Sequence, residues 1–530
     1  MTDQLTTPDL SEKAAASGAY SQLDGPAPRF GVSDAIVIAV LLAFNALILV
    51  VKGTERFEFF DMSAFLDAGW RVASGQQPYV DFYYTAGPVH LYMHALSFLI
   101  FGFTQTAVLV HLCVVGLAAT AMAYGIARMH LKPLLACLFG VLTLFSFYGP
   151  VCHPWYDQNA SIFLLLGVLL WELRARYWSE SALPRVAIAC GVLSALSFLT
   201  KANVGLGGGI LFAALFLAGP GRWKNFGTYV AAGAVATFAI VFLALKSPAN
   251  FIDQNFFAYA PGERLKNFER LVDACLYTPS ALVLAIGIGM AVLGGKEFVA
   301  RNLTRFAMLG GLVAVALFTA WTSSMDIRGN LVWVGFQFIT LAILARDFPI
   351  ARLKMVNWCA VLGLAVFSLM RATQYTSDIV VWAWNPMVLH SDYKLQTPAF
   401  RDWKCNGAIG EGLDKTVEYI NANIPKNDSV FVFPDSTMIY GLTGRDSYRQ
   451  APFIFHRNQI LVGKWYDDFR AHFLSEPPKW IVMHYLKQHP QPDLIAGPIL
   501  KWLKLEEFLD QKYAPAWRHG DFYVLKLKAQ

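Results

Sequence analysis

The sequence predicts an α-helical polytopic membrane protein with about eleven transmembrane helices, followed by a C-terminal soluble α/β domain. Three observations point there. Of 530 residues, 56% are hydrophobic and only 15% charged, against roughly 45–50% and about 25% in a soluble domain. The apolar residues come in blocks, and a block of about 20 in hydrocarbon must satisfy its own backbone, which makes it a helix. Beyond residue 372 the composition turns polar and the pattern changes period.

The first 32 residues are rich in Ala, Ser, Thr and Asp and are expected to form a disordered tail. They lack the basic region and short apolar core of a cleaved leader, so the first span is expected to stay as an anchor. Apolar segments follow at 33–51, 104–126, 133–149, 159–173, 185–199, 204–219, 227–245, 276–294, 306–322, 331–345 and 355–370. Alternate connections carry Arg128 and Lys132, then Arg174, Arg176 and Arg185, then Arg222 and Lys224, then Lys296, Arg301 and Arg305, then Arg346, Arg352 and Lys354. Basic residues near span ends favour the cytoplasm, which puts the N-terminus inside and the chain after 371 outside. The net charge of +6 therefore reports topology, and no nucleic-acid partner is expected. Residues 33–371 read as the transmembrane domain, with the external loop 52–103 carrying interfacial helices, one of them within 86–102.

Residues 372–530 read as an external α/β domain: an amphipathic helix over Gly412–Asn423, then strand signals at Ser429–Phe433, Trp480–Tyr485 and Phe522–Leu527. Cys405 is the one cysteine there, so the domain closes no disulfide of its own. No GxGxxG or Walker sequence is present, and no Cys/His spacing suggests a structural metal.

The loop after the first span is the richest in candidate chemistry. Asp61 lies near the expected membrane surface among Phe59, Phe60 and Phe65. A carboxylate partly desolvated by aromatic rings can serve as general base toward a hydroxyl, and it can equally cap the helical pattern that it opens. The run Asp61, Ala68-Gly69-Trp70-Arg71, Gly75-Gln76-Gln77-Pro78-Tyr79-Val80-Asp81-Phe82, Gly87-Pro88 resembles the first external loop of GT-C glycosyltransferases. These include aminoarabinose lipid A transferases, rhizobial lipopolysaccharide galacturonosyltransferases and protein O-mannosyltransferases. The resemblance implies a GT-C-like fold with Asp61 in the place of the catalytic aspartate. Met62 stands where many members have Glu, which weakens a paired-carboxylate metal site.

Further positions fit the same family. Tyr156-Asp157-Gln158-Asn159 resembles its second external acidic position, making Asp157 the partner of Asp61 or, more plainly, a helix cap. Leu196–Gly209 resembles its Lys-containing run between two spans. Lys201 there can meet a lipid phosphate or snorkel to headgroups. Arg328, in Met325–Asn330, is a second phosphate candidate, with a salt bridge to Asp326 as the alternative. His153 can assist acid–base work or bond a loop backbone, and the first-loop motif adds Arg71, Tyr79 and Asp81 as substrate or phosphate ligands.

The resemblance thus implies an integral membrane glycosyltransferase moving a sugar from a polyprenyl-phosphate donor to an acceptor hydroxyl on the external face, with inversion. The expected partners are that donor, a lipid or glycan acceptor and membrane lipids, in a bacterial inner membrane. No cofactor is required on this reading, although a divalent metal stays compatible with it. The alternatives are a transporter or flippase, for which ionisable residues at span centres and matched halves are lacking, and a non-catalytic subunit of the same fold.

Overall fold

The computed structural model describes residues 28–54, 61–148, 154–257, 269, 272, 279–322, 331–366, 393–405, 407–434, 436–451, 463–484 and 496–529.

Each of the eleven apolar segments carries a helix: α1 Val32–Gly53, α4 Gln105–Arg128, α5 Pro133–Ser146, α6 Tyr156–Tyr177, α7 Leu183–Phe198, α8 Ala202–Ala218, α9 Arg222–Phe238, α11 Pro279–Arg301, α12 Leu303–Thr322, α13 Leu331–Arg346 and α14 over 351–366. Among the described residues six helices are long and apolar enough to cross a membrane: Val32–Gly53, Gln105–Arg128, Glu180–Phe198, Arg222–Ala244, Pro279–Arg301 and Leu303–Ala320. Others are shorter apolar helices, such as Pro133–Leu144, Ala202–Ala218 and Val332–Arg346. Their outward residues Ile36, Val40, Leu47, Leu243, Val292 and Met355 are exposed, as a lipid-facing surface requires.

Polar groups inside the bundle meet one another rather than hydrocarbon. Asn45 donates from Nδ2 to Thr120 Oγ1 at 2.5 Å, and Asp34 accepts from Arg128 Nε at 2.6 Å and from Tyr124 at 2.7 Å. Small residues permit the close approach: a methyl on Gly116 would stand 2.9 Å from Leu49 Cδ1.

The chain between α1 and α4 folds as two helices, α2 Asp61–Ala73 and α3 Pro88–Phe101. Between them Pro78–Phe82 forms a tight turn in which Tyr79 takes φ +66. A short helix that follows α9, α10 Pro248–Phe256, lies against this turn: Asn250 Nδ2 and Gln254 Nε2 both donate to the Tyr79 carbonyl, at 2.8 and 3.1 Å.

The C-terminal part contains α15 Gly407–Asn423, β3 Val430–Phe433, α16 Ile439–Thr443, α17 Gly463–Ser475, β4 Trp480–His484, α18 Ala496–Trp502, α19 Glu506–Lys512, β5 Tyr513–His519 and β6 Phe522–Leu527, after a two-stranded ribbon of β1 Tyr393–Lys394 and β2 Lys404–Cys405. The main sheet has the order β3-β4-β6-β5, with β3 and β4 parallel and the other pairs antiparallel. The three strands expected from sequence are present. β5 (Tyr513–His519) was not expected, because Pro515 interrupts its pattern; it survives as an edge strand with a register shift between Pro515 and Trp517. The helix starts at Gly407, five residues earlier than its amphipathic pattern suggested. Cys405 is buried.

Candidate active site

The first turn of α6 carries Tyr156 and Asp157, and the turn between α7 and α8 carries Lys201. The residue preceding α6, Trp155, gives no side-chain cap. Asp157 Oδ1 meets Lys201 Nζ at 2.5 Å, with the two side chains 6% and 10% exposed. The ammonium also lies 4.5 Å from the centre of the Tyr156 ring. A buried lysine needs such compensation, and a carboxylate plus a ring face supplies it. The two residues that sequence treated separately thus form one ion pair.

An aromatic layer closes over the pair. Phe65 of α2 stands 5.0 Å from Trp155, 5.3 Å from Tyr156 and 5.4 Å from His90, all edge-on. The Gly87-Pro88 step brings α3 against the Lys201 turn. Val89 N donates to Leu199 O at 3.1 Å, and a Cβ on Gly87 would fall 1.8 Å from that same oxygen. Only a residue without a side chain allows this approach. The glycine of the first-loop motif thereby has a physical reason.

Asp61 opens α2, but its side chain lies outside the described residues. His153 and Arg328 also lie outside them. The turn beginning at Asp61 is nevertheless fixed from above. Ser63 Oγ accepts from Met438 N at 2.9 Å, and the Ser63 carbonyl accepts from Thr437 Oγ1 at 3.4 Å.

Arg71, Tyr79 and Asp81 serve as struts. Arg71 is 1% exposed: Nε binds Asp67 Oδ2 at 2.8 Å, Nη1 donates to the Tyr448 carbonyl at 2.9 Å, and the guanidinium lies over the rings of Phe82 and Tyr440. Burial pushes the Asp67 carboxyl above its ordinary pKa, opposed by Arg71 and by a bond from Ser447 Oγ at 2.5 Å. Tyr79, 1% exposed, donates its hydroxyl to the Ala86 carbonyl at 2.6 Å. Asp81 accepts from Gln77 N at 2.8 Å and Arg449 Nη1 at 3.1 Å, while its carbonyl accepts from Gln450 N at 2.7 Å. Arg71 and Asp81 therefore tie the loop to the C-terminal domain, where the motif alone suggested contact with a ligand.

From sequence, Asp67, Gln76 within the first-loop motif and the Arg445–Gln450 segment carry no assigned role. Trp70 Nε1 donates to Arg445 O at 2.9 Å, and Gln76 Nε2 to Ser447 O at 2.6 Å. The Asp67/Arg71 spacing of four along a helix was the available signal. Among the described residues no group of three or more His, Cys, Asp or Glu could hold a metal ion. His90 meets His94 edge-on with ring centres 4.5 Å apart, and His94 stacks on His111 at 4.2 Å.

Comparison with known proteins agrees with this architecture. The family model of dolichyl-phosphate-mannose-protein mannosyltransferases matches residues 85–245, the stretch that holds Asp157 and Lys201. A search of curated proteins found no match. Among solved structures, ArnT from Cupriavidus metallidurans bound to undecaprenyl phosphate is similar at 14% identity and TM-score 0.53, covering 93% of this chain and 98% of that one. Its apo form is similar at 15% identity and TM-score 0.51, over 93% and 99%. The archaeal oligosaccharyltransferase AglB from Archaeoglobus fulgidus, in complex with an inhibitory peptide and a dolichol-phosphate, aligns at 12% identity and TM-score 0.46, over 92% and 74%. The likeness to ArnT along nearly the whole of both chains shows that the fold is of the GT-C type, a helical membrane domain followed by a strand-containing C-terminal domain.

Proposed function

We propose that this chain is a GT-C glycosyltransferase that moves a sugar from a polyprenyl-phosphate donor to an acceptor hydroxyl at the external face of a bacterial inner membrane. The observation that carries the reading is the buried Lys201–Asp157 pair at 2.5 Å, set where α3, α6 and the α7–α8 turn converge in a chain of GT-C fold. An ammonium already held in place needs little reorganisation when an anion arrives, which is how fixed charges stabilise a departing phosphate.

The reaction is a single displacement. Asp61 takes the proton of the acceptor hydroxyl; the oxygen attacks the anomeric carbon from the side opposite the phosphate. The bond from that carbon to the phosphate oxygen breaks, and the lipid phosphate leaves with the electron pair, inverting the centre. Lys201 and Arg328 balance the charge on the leaving phosphate, and Asp157 keeps the ammonium in register. Since these cations supply the charge, the chemistry calls for no metal. The C-terminal domain, joined to the first turn of α2 through Ser63 and to its last turns through Trp70 and Arg71, forms the acceptor side. The N-terminus is cytoplasmic and the C-terminal domain periplasmic.

The test is transfer in vitro from a polyprenyl-phosphate sugar, comparing wild type with Asp61→Asn. Loss of about 10²–10⁴-fold in rate is expected for a general base. Equal transfer by the two proteins would remove Asp61 from that role.

A further inference from the structure

Behind the Lys201–Asp157 pair lies a closed polar cluster that the proposed transfer does not use. Its centre is Asn159, 0% exposed on α6. Nδ2 of Asn159 donates to His90 Nδ1 at 2.9 Å, while its Oδ1 accepts from Tyr148 at 3.1 Å and from His111 Nε2 at 3.2 Å. One side chain is thereby bonded to α3, to α4 and to the residue two past the end of α5. Two flanking bonds act on the same helix end. His94 Nε2 donates to the Pro154 carbonyl at 3.2 Å, and Gln158 Nε2 to the Phe147 carbonyl at 3.2 Å.

Two residues along an α-helix turn it by about 200°, so Asn159 faces nearly opposite to Asp157. The asparagine grips the back of the turn whose front carries the carboxylate. The N-terminal turn of a helix has backbone donors with no partner inside the helix, and a side-chain cap ordinarily steadies them. Trp155 provides none here. Side-chain bonds from the flanks anchor this helix end instead.

We propose that Asn159 is the positioning residue of the Lys201–Asp157 pair. It fixes the rotation and depth of the first turn of α6, so that Asp157 meets Lys201 and Tyr156 presents its ring to the ammonium. The geometric claim stands on the cluster itself; only its value for transfer rests on the function proposed above.

The test is a mutant cycle on the full chain in detergent, read as the thermal unfolding midpoint. Asn159→Leu keeps the branched heavy-atom shape and removes all three bonds. It is made in wild type and in the Asp157→Asn/Lys201→Met background, which has no pair to position. If Asn159 positions the pair, the drop in midpoint seen in wild type shrinks to about half or less in that background. Equal drops in the two backgrounds would overturn the proposal and leave Asn159 as a general packing residue. Should Asn159→Leu fail to fold, Tyr148→Phe, which removes one of the three bonds, is put through the same cycle with the same criterion. A second readout is stabilisation by added undecaprenyl phosphate, which Asn159→Leu is expected to weaken about tenfold in lipid concentration, a coupling of the usual size. If wild type itself shows no phosphate-dependent stabilisation, the reading of the site as a phosphate site fails, while the midpoint cycle still decides the role of Asn159.

Discussion

Arg71 and Tyr448, 377 positions apart, are joined by a 2.9 Å bond from the guanidinium Nη1 to the backbone carbonyl, inside a joint where Arg71 is almost fully buried. The same guanidinium neutralises Asp67, which Ser447 also contacts. The helix that begins at Asp61 is thus held by the C-terminal domain at both ends.

Arg71→Met is expected to destabilise the protein by about 3–5 kcal/mol, because Asp67 stays buried with no cation beside it. Adding Asp67→Asn should recover most of that loss, since an amide costs far less to bury than an unpaired carboxylate. Thermal unfolding of the two variants checks this, and limited proteolysis should cut the Arg71→Met protein first between loop and domain.

Removing one member of the Lys201–Asp157 pair should cost more than removing both. Lys201→Met alone leaves a carboxylate 6% exposed without its ammonium. The Asp157→Asn/Lys201→Met protein buries no charge there and is expected to unfold at a higher temperature than Lys201→Met. A lower midpoint for the double variant would contradict the description of this pair.

Gly87→Ala should displace α3 from the Lys201 turn, since its methyl would meet the Leu199 oxygen at 1.8 Å. The expected outcome is a loss of about 1–3 kcal/mol in stability, the usual range for overpacking, together with weakened lipid-phosphate binding. Gly75→Ala has open space around the new methyl but a φ of +91. It should lose stability without loss of lipid binding.

Acid should weaken the C-terminal sheet through Asp428. Bonds from Lys479 Nζ at 2.5 Å and Trp480 Nε1 at 3.0 Å hold its carboxyl below the ordinary 3.8. A group with a depressed folded pKa contributes its stability above the unfolded value and loses it as pH falls through the folded one. Asp428→Asn should therefore unfold at a lower temperature than wild type at neutral pH, and the difference should close as pH falls below 3.8 through the depressed folded pKa. Lys479 is well exposed, so the effect stays within about 1 kcal/mol. A difference that persists unchanged at low pH would exclude this linkage.

Much of this was legible in the residues because hydrocarbon imposes so simple a rule. Blocks of apolar sequence became helices at nearly the boundaries that composition suggested, and the alternating strand signals at Val430–Phe433, Trp480–His484 and Phe522–Leu527 survived. The site was legible in part. Asp157 and Lys201 stood out as charges beside apolar runs, yet their 2.5 Å meeting joins residues 44 apart and depends on how α6 packs beside α8. Arg71 and Asp81 misled in the opposite sense. A motif marks positions that a fold needs without saying whether they touch a ligand or a neighbouring domain, and the partners Tyr448, Ser447 and Arg449 lie in a segment whose residues suggested no chemistry. Asn159 stood in the Tyr156–Asn159 motif with no role of its own, since its importance comes from three partners on three separate elements.

The central claim is that Lys201, held by Asp157, receives the phosphate of a polyprenyl lipid. The most direct measurement is the shift in unfolding midpoint on adding undecaprenyl phosphate, with undecaprenol as the uncharged control, for wild type and for Asp157→Asn/Lys201→Met. The account expects stabilisation of wild type by the phosphate and not by the alcohol, and loss of that difference in the variant. Equal stabilisation of both proteins by the phosphate would contradict it.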